Sequence, residues 1–248
     1  MTGGGEFAGR TAIVTGAGGG MGLQIARGLL AAGARVAGID VKPRPPELEH
    51  AIYARGDISD DGLVGQAIER AVAMTGRLDH LVNAAGVLLL GEDRSLVDID
   101  LEIWNRVLAV NLTGCMLTAR HAIPHMEKNG GAMVHVSSIQ CLRGDDRPQD
   151  AYQVAKAGIV ALSKSIAIQF ARAGIRSNVI LPGPTESPMQ ARWQADPAMQ
   201  RRTAAAVPLG RVGSVQDMAD ACLFLLSERA AYITGTELVV DGGLMARP

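Results

Sequence analysis

The chain has 248 residues and a formal net charge of -1, with 48% hydrophobic, 20% charged and 3% aromatic residues. An apolar content this high at near-neutral charge excludes a disordered chain. The 24 Lys+Arg balance the 25 Asp+Glu, and few aromatics remain for base stacking, so no nucleic-acid partner is indicated.

The first segment with strand character is 11–15, a short apolar run, followed by a helical pattern over 21–32 closed by Gly33 and a second strand over 35–40. A third strand is read at 52–55. The next helix starts near Asp60 with Ser59 as N-cap and ends at Gly76, and 78–83 gives a fourth strand. One long helix, 102–127, precedes a fifth strand at 132–137. A helix over 152–173 is stopped by Gly174, and a sixth strand, 176–181, ends at Pro182. A helix at 215–227 and a strand at 237–240 complete the chain. This alternation predicts an α/β fold of three layers, a doubly wound parallel sheet of Rossmann type forming one domain over 1–248. The Pro-rich stretch 42–49 is read as a surface loop. The excursion 184–213 leaves a strand at its carboxyl end and is read as a lid over the ligand crevice.

Between the first strand and first helix lies Thr15-Gly16-Ala17-Gly18-Gly19-Gly20-Met21-Gly22. Backbone N–H groups at a helix N-terminus hold a pyrophosphate, and a side chain at Gly20 or Gly22 would block the phosphates or the helix. Asp40 ends the second strand, where a carboxylate accepts from adenosine ribose hydroxyls and repels a 2′-phosphate. The cofactor expected on this ground is NAD, with NADP disfavoured, although Lys42 and Arg44 lie near enough in sequence to reach a phosphate.

Tyr152 and Lys156 stand one helical turn apart, so an ammonium can lie near the phenol. A cation there favours phenolate and lowers the tyrosine pKa, making a general base for an alcohol proton. Ser137 and Ser138 follow the fifth strand at the same sheet edge, and a hydroxyl there can orient a substrate oxygen. No Gly-x-Ser-x-Gly elbow is present, which argues against a hydrolase nucleophile.

Together these residues resemble the short-chain dehydrogenase/reductase family in its short single-domain form, from about Phe7 to Gly243. The loop is similar to the family's Thr-Gly-x-x-x-Gly-x-Gly at Thr15, Gly16, Gly20 and Gly22, with Met21 between the last two. Asp57, followed by Ile58, matches the adenine contact. Asn83-Ala84-Ala85-Gly86 resembles Asn-Asn-Ala-Gly, with Ala84 replacing the second Asn. Asn111 matches an Asn supporting a water-linked proton relay, and Ser138, in preference to Ser137, Tyr152 and Lys156 match the remaining catalytic positions. Pro182, Gly183, Thr185 and Ser187 resemble the segment that receives the nicotinamide carboxamide. The resemblance implies hydride transfer at the nicotinamide: Tyr152 exchanges the proton, Ser138 positions the oxygen, and Lys156 lowers the tyrosine pKa while binding the nicotinamide ribose. It also implies a homotetramer in which helices 102–127 and 152–173 pair across a two-fold axis.

Gln140, Gln149, Met189 and Trp193 are the substrate-facing candidates. Trp193 with Met189 and Met199 forms an apolar cluster that either covers substrate or packs the lid. His121 and His125 share a helix face but lack the Glu and third ligand of a zinc motif, so no metal is expected. The three cysteines, Cys115, Cys141 and Cys222, show no disulfide or zinc spacing and predict a reducing cytoplasm; no signal peptide or membrane span is read. The reaction expected is NAD-dependent oxidation of a secondary alcohol, a cyclic alcohol or dihydrodiol among the forms considered, or reduction of the ketone. A 3-oxoacyl-thioester reductase and a non-catalytic dinucleotide-binding regulator are the alternatives.

Overall fold

The computed structural model describes residues 5–247. Seven parallel strands, β1 (Thr11–Thr15), β2 (Arg35–Asp40), β3 (Ile52–Arg55), β4 (His80–Asn83), β5 (Gly131–Val136), β6 (Ile175–Pro182) and β7 (Glu237–Val240), form one sheet in the order β3-β2-β1-β4-β5-β6-β7. The period of two along each strand supplies both faces. Val14, Val82 and Val134 point to one side, under α1 (Gly20–Ala31) and the C-terminal helix Val215–Leu226. Their neighbours Ile13, Leu81 and Met133 point to the other, under α2 (Asp61–Thr75) and the helices that follow β4 and β5. Strands buried on both faces are continuously apolar rather than alternating, which is the pattern of β1. The chain leaves β1 toward β2 on one side and reaches β4 on the other, so a crevice opens at the carboxyl ends of β1 and β4.

The long helix read at 102–127 is three pieces on one axis: α3 (Leu101–Leu108), a π-helical turn Ala109–Thr113, and α4 (Gly114–Met126). The π turn carries Asn111 at its centre, and wide turns of this kind recur at functional sites. The cap read at Ser59 is a correction. Asp60 caps α2 by accepting from the Leu63 N–H at 3.0 Å, while the Ser59 hydroxyl donates to Asp57 at 2.8 Å. A carboxylate two residues before Ser59 competes for its hydroxyl, leaving Asp60 free for the helix.

Helix α5 (Asp150–Gln169) begins two residues earlier than expected and gives way to a 3-10 turn before Gly174, which takes φ 72. The 42–49 stretch holds a 3-10 turn, Pro46–Leu48, whose Leu48 is fully buried, so it is anchored rather than a plain surface loop. The excursion 184–213 folds into α6 (Arg192–Ala195) and α7 (Pro197–Ala206), the latter capped by Asp196 accepting from the Met199 N–H. The C-terminal helix Val215–Leu226 is α8, opened by a reciprocal Ser214–Asp217 capping box. Among the described residues, no helix is long and apolar enough to cross a membrane.

Candidate active site

A cleft of about 740 Å³ lies over the carboxyl ends of the strands. Every predicted cofactor, substrate and catalytic residue lines it except Asn83 and Asn111. At one end the loop after β1 enters α1 with no side-chain cap and no acidic residue in the first turn, leaving the helix's N-terminal N–H groups for an anion. The glycines are dictated by space. A Cβ on Gly22 would come within 2.2 Å of the Gly16 carbonyl oxygen, and one on Gly16, at φ 73, within 2.8 Å of the Ala85 nitrogen. Gly20, at φ 54, would point a Cβ at Pro188 of the facing segment. A bare backbone cradle at a helix N-terminus fits a dinucleotide pyrophosphate.

Asp40 stands beside this cradle. Its Oδ2 accepts from the Gly18 N–H at 2.8 Å and its Oδ1 from the Lys42 N–H at 2.9 Å, so the carboxylate is fixed. Asp57 lines the next stretch of cleft with Ile58. Its carboxylate accepts from both groups of Ser59 and pairs with Arg106 at 2.7 Å, and these bonds hold it below the usual carboxylate range against the opposing effect of burial. Ala84 and Gly86 form the cleft floor, tied to β1 where the Thr15 hydroxyl accepts from the Ala84 and Ala85 N–H groups. Asn83 is turned away from the cleft. Its amide donates to the Cys115 carbonyl and meets His135, while its oxygen accepts from Thr118 at 2.6 Å, inside a buried polar network. Its side chain ties β4 to α4.

Ser138, Tyr152 and Lys156 meet at the cleft's centre, each buried. The two serines differ in their hydrogen bonding. Both serines line the cleft: Ser137 donates to the Lys156 carbonyl at 2.7 Å, whereas the Ser138 hydroxyl accepts from the Gln140 N–H at 3.2 Å and lies beside Tyr152. Lys156 Nζ donates to the Val136 carbonyl at 2.8 Å and lies 5.5 Å from the Tyr152 ring centre. Asn111 spends both ends of its amide on Val87, accepting from its N–H at 2.8 Å and donating to its carbonyl at 2.9 Å. This pins the loop after β4, and Gly86 fits because a Cβ there would lie 2.7 Å from the Asn111 oxygen.

Burial is the largest influence on both groups: it pushes the Tyr152 phenol up to about 12, offset in part by Ser138, and brings the Lys156 ammonium down to about 8. In so dry a site burial disfavours the charged form of each group.

Gln140, Gln149 and Trp193 are brought to the cleft, with Met189 on its rim. The Gln140 and Gln149 amides both donate to Asp145 Oδ2, at 2.8 and 3.4 Å, leaving the Gln140 oxygen buried without a donor. His121 and His125 instead face Asp61 and Glu69 across the α2–α4 seam. Asp93 escaped the sequence reading. It is 2% exposed, and its two oxygens accept from the Ala151 and Tyr152 N–H groups at 3.0 and 2.9 Å. It caps α5 from a distant loop, so no local spacing signals it. Arg143, Arg147 and Arg192 also line the cleft and were not read as site residues.

The sheet order, the bare glycine cradle and the buried Tyr–Lys pair define a dinucleotide-binding α/β fold of oxidoreductase type. Residues 16–245 match a family model described as Enoyl-(Acyl carrier protein) reductase. The chain is 37% identical to a cis-4-hydroxycyclohexanecarboxylate dehydrogenase of Sinomonas cyclohexanicum, over 97% of this chain and 98% of that one. It is 36% identical to a 2-(R)-hydroxypropyl-CoM dehydrogenase of Xanthobacter autotrophicus, over 96% and 99%. Among solved structures, the ligand-free aldohexose dehydrogenase of Thermoplasma acidophilum superposes with a TM-score of 0.91 at 28% identity, covering 99% of this chain and 98% of that one. The protein belongs to the short-chain dehydrogenase/reductase family and is an oxidoreductase.

Proposed function

We propose that the protein is an NAD-dependent dehydrogenase that interconverts a secondary alcohol and its ketone. The observation that carries this is the convergence of Ser138, Tyr152 and Lys156 in one buried cleft that continues to the glycine cradle. When bound, the nicotinamide supplies or accepts the hydride. Tyr152 gives its proton to the carbonyl oxygen in reduction and takes one from the alcohol in oxidation. Ser138 orients that oxygen. Lys156, held by the Val136 carbonyl, keeps further N–H groups for the ribose hydroxyls, and the burial of all three side chains excludes water.

Asp40 supports NAD over NADP, because a 2′-phosphate beside its fixed carboxylate would meet a like charge. The names of the relatives support a secondary-alcohol substrate, one of them a hydroxy acid on a six-membered ring. The family model's description favours a second reading, reduction of a carrier-bound acyl thioester. The free cysteines are in keeping with a reducing compartment, and we assign the cytoplasm. Exposed Leu101, Val154 and Ile168 on the α3 and α5 surfaces support a homotetramer built on those helices.

Absorbance of reduced cofactor, followed with NAD and NADP across cyclic and acyclic alcohols and 3-hydroxyacyl thioesters, tests this reading. Turnover with NAD is expected, with oxidation accelerating as pH rises toward the Tyr152 value of about 12. Tyr152→Phe is expected to lose about 10²–10⁴-fold in kcat while still binding NADH. A Tyr152→Phe protein as active as the parent would refute the assignment, and turnover confined to thioesters would favour the second reading.

A further inference from the structure

Beyond Tyr152 the cleft continues between the loop after β5 and helix α6, and this end is basic. Arg143, Arg147 and Arg192 line it against a single carboxylate, Asp145, leaving an excess of two positive charges. Asp145 is already committed. Its Oδ2 accepts from the Gln140 and Gln149 amides, and its Oδ1 from the Arg147 backbone N–H at 3.0 Å.

Arg192 is only partly exposed, and its one side-chain bond runs from Nε to the Gln190 oxygen at 2.9 Å. Among the described residues its guanidinium forms no ion pair, in contrast to Arg77, Arg106 and Arg211, which pair with Asp79, Asp57 and Asp217. Burial first, and next the charge of Arg147, hold Arg192 below the usual arginine range, with the Asp145 carboxylate opposing them in part. An unpaired, partly buried guanidinium near a second one is unfavourable until an anion enters. The same cleft is lined by the buried indole of Trp193 and by the partly exposed Met189, both apolar.

We propose that Arg192, with Arg147, forms an anion subsite that selects substrates carrying a carboxylate or similar oxoanion at the end remote from the reacting carbinol, with an apolar body packed on Trp193. The proposal rests on the dehydrogenase reading and names the substrate class for that same site. A planar guanidinium binds a carboxylate by two parallel N–H···O bonds, which fixes distance and orientation together. Such a clamp would hold the carbinol carbon in register with Tyr152 and Ser138.

The test has a binding arm and a kinetic arm. Calorimetry of the NADH-loaded protein with cyclohexanecarboxylate, which has no hydroxyl to oxidise, is expected to give saturable binding that methyl cyclohexanecarboxylate does not match. Arg192→Gln should weaken it about 10–100-fold, Arg192→Lys less, and Arg147→Gln measurably. In the kinetic arm, the kcat/KM ratio of 4-hydroxycyclohexanecarboxylate over its methyl ester should exceed about tenfold, lie mainly in KM, and collapse toward unity in Arg192→Gln. A 3-hydroxyacyl-CoA arm distinguishes a coenzyme phosphate from a small-molecule carboxylate as the source of the anion; preference for it, lost in Arg192→Gln, keeps the subsite and changes its occupant. Equal binding of acid and ester, or equal losses for both in the arginine variants, would overturn the subsite even if neutral alcohols turn over. Carboxylate binding that depends on Arg192 without turnover of any alcohol would uphold the subsite and refute the dehydrogenase reading instead.

Discussion

At the residue scale, the positions that matter most are those whose charge is kept from water. Burial pushes Tyr152 and Lys156 both toward their neutral forms. Asp93 is the counterpart that holds Tyr152 in place. It supplies both acceptors at the first turn of α5, whose own N-cap residue, Gln149, makes no capping bond. Asp93→Ala leaves two buried N–H groups without partners and removes a favourable charge from a helix N-terminus, a loss of about 1–3 kcal/mol. We expect kcat to fall about tenfold or more with the NADH dissociation constant unchanged, because the effect acts through the placement of Tyr152; a rise in that dissociation constant with kcat intact would contradict the positioning role.

Among the elements, the β1–α1 loop shows how a local sequence requirement is enforced by packing. Gly22 faces the Gly16 carbonyl so closely that no side chain fits without moving backbone. Gly22→Ala is therefore expected to shift the loop, lower the melting temperature and weaken NADH binding by at least about tenfold, as a fluorescence titration would detect. Unchanged affinity would mean that the cradle is not the pyrophosphate site. The π turn between α3 and α4 is a second case. It carries Asn111, whose amide closes on both polar groups of Val87, and a regular helix would place that side chain at a different angle.

For the whole molecule, two histidines on neighbouring central strands couple stability to pH. His80 on β4 and His135 on β5 are buried, and desolvation brings each down to about 4. In the unfolded chain they titrate near 6.5, so between these values the unfolded state binds more protons than the folded one. Their contribution to stability is complete above about pH 6.5 and is lost as pH falls toward 4, amounting to about 3 kcal/mol each at the limit. Melting temperature should therefore drop between about pH 6.5 and 4.5, and His135→Gln should make that drop shallower. A melting temperature that stays level over this interval would show that the two imidazoles are not held neutral.

The periodic apolar runs of the chain, its glycine stops and the Thr-Gly loop already specify the order of strands and helices, because these signals depend on neighbours within a few residues. The dinucleotide cradle and the Tyr152–Lys156 turn were legible for the same reason: each is a contiguous motif on one element. The fold moved the N-cap from Ser59 to Asp60 because of the competing Asp57, and turned Asn83 inward onto Cys115, Thr118 and His135, residues distant in sequence. Asp93 at the start of α5 and the arginines gathered at the far end of the cleft were not legible, since their partners come from separate loops. The direction in which burial shifts Tyr152 was likewise a tertiary matter, because spacing reports that a cation is near and only burial reports how little water is left to stabilise the charge.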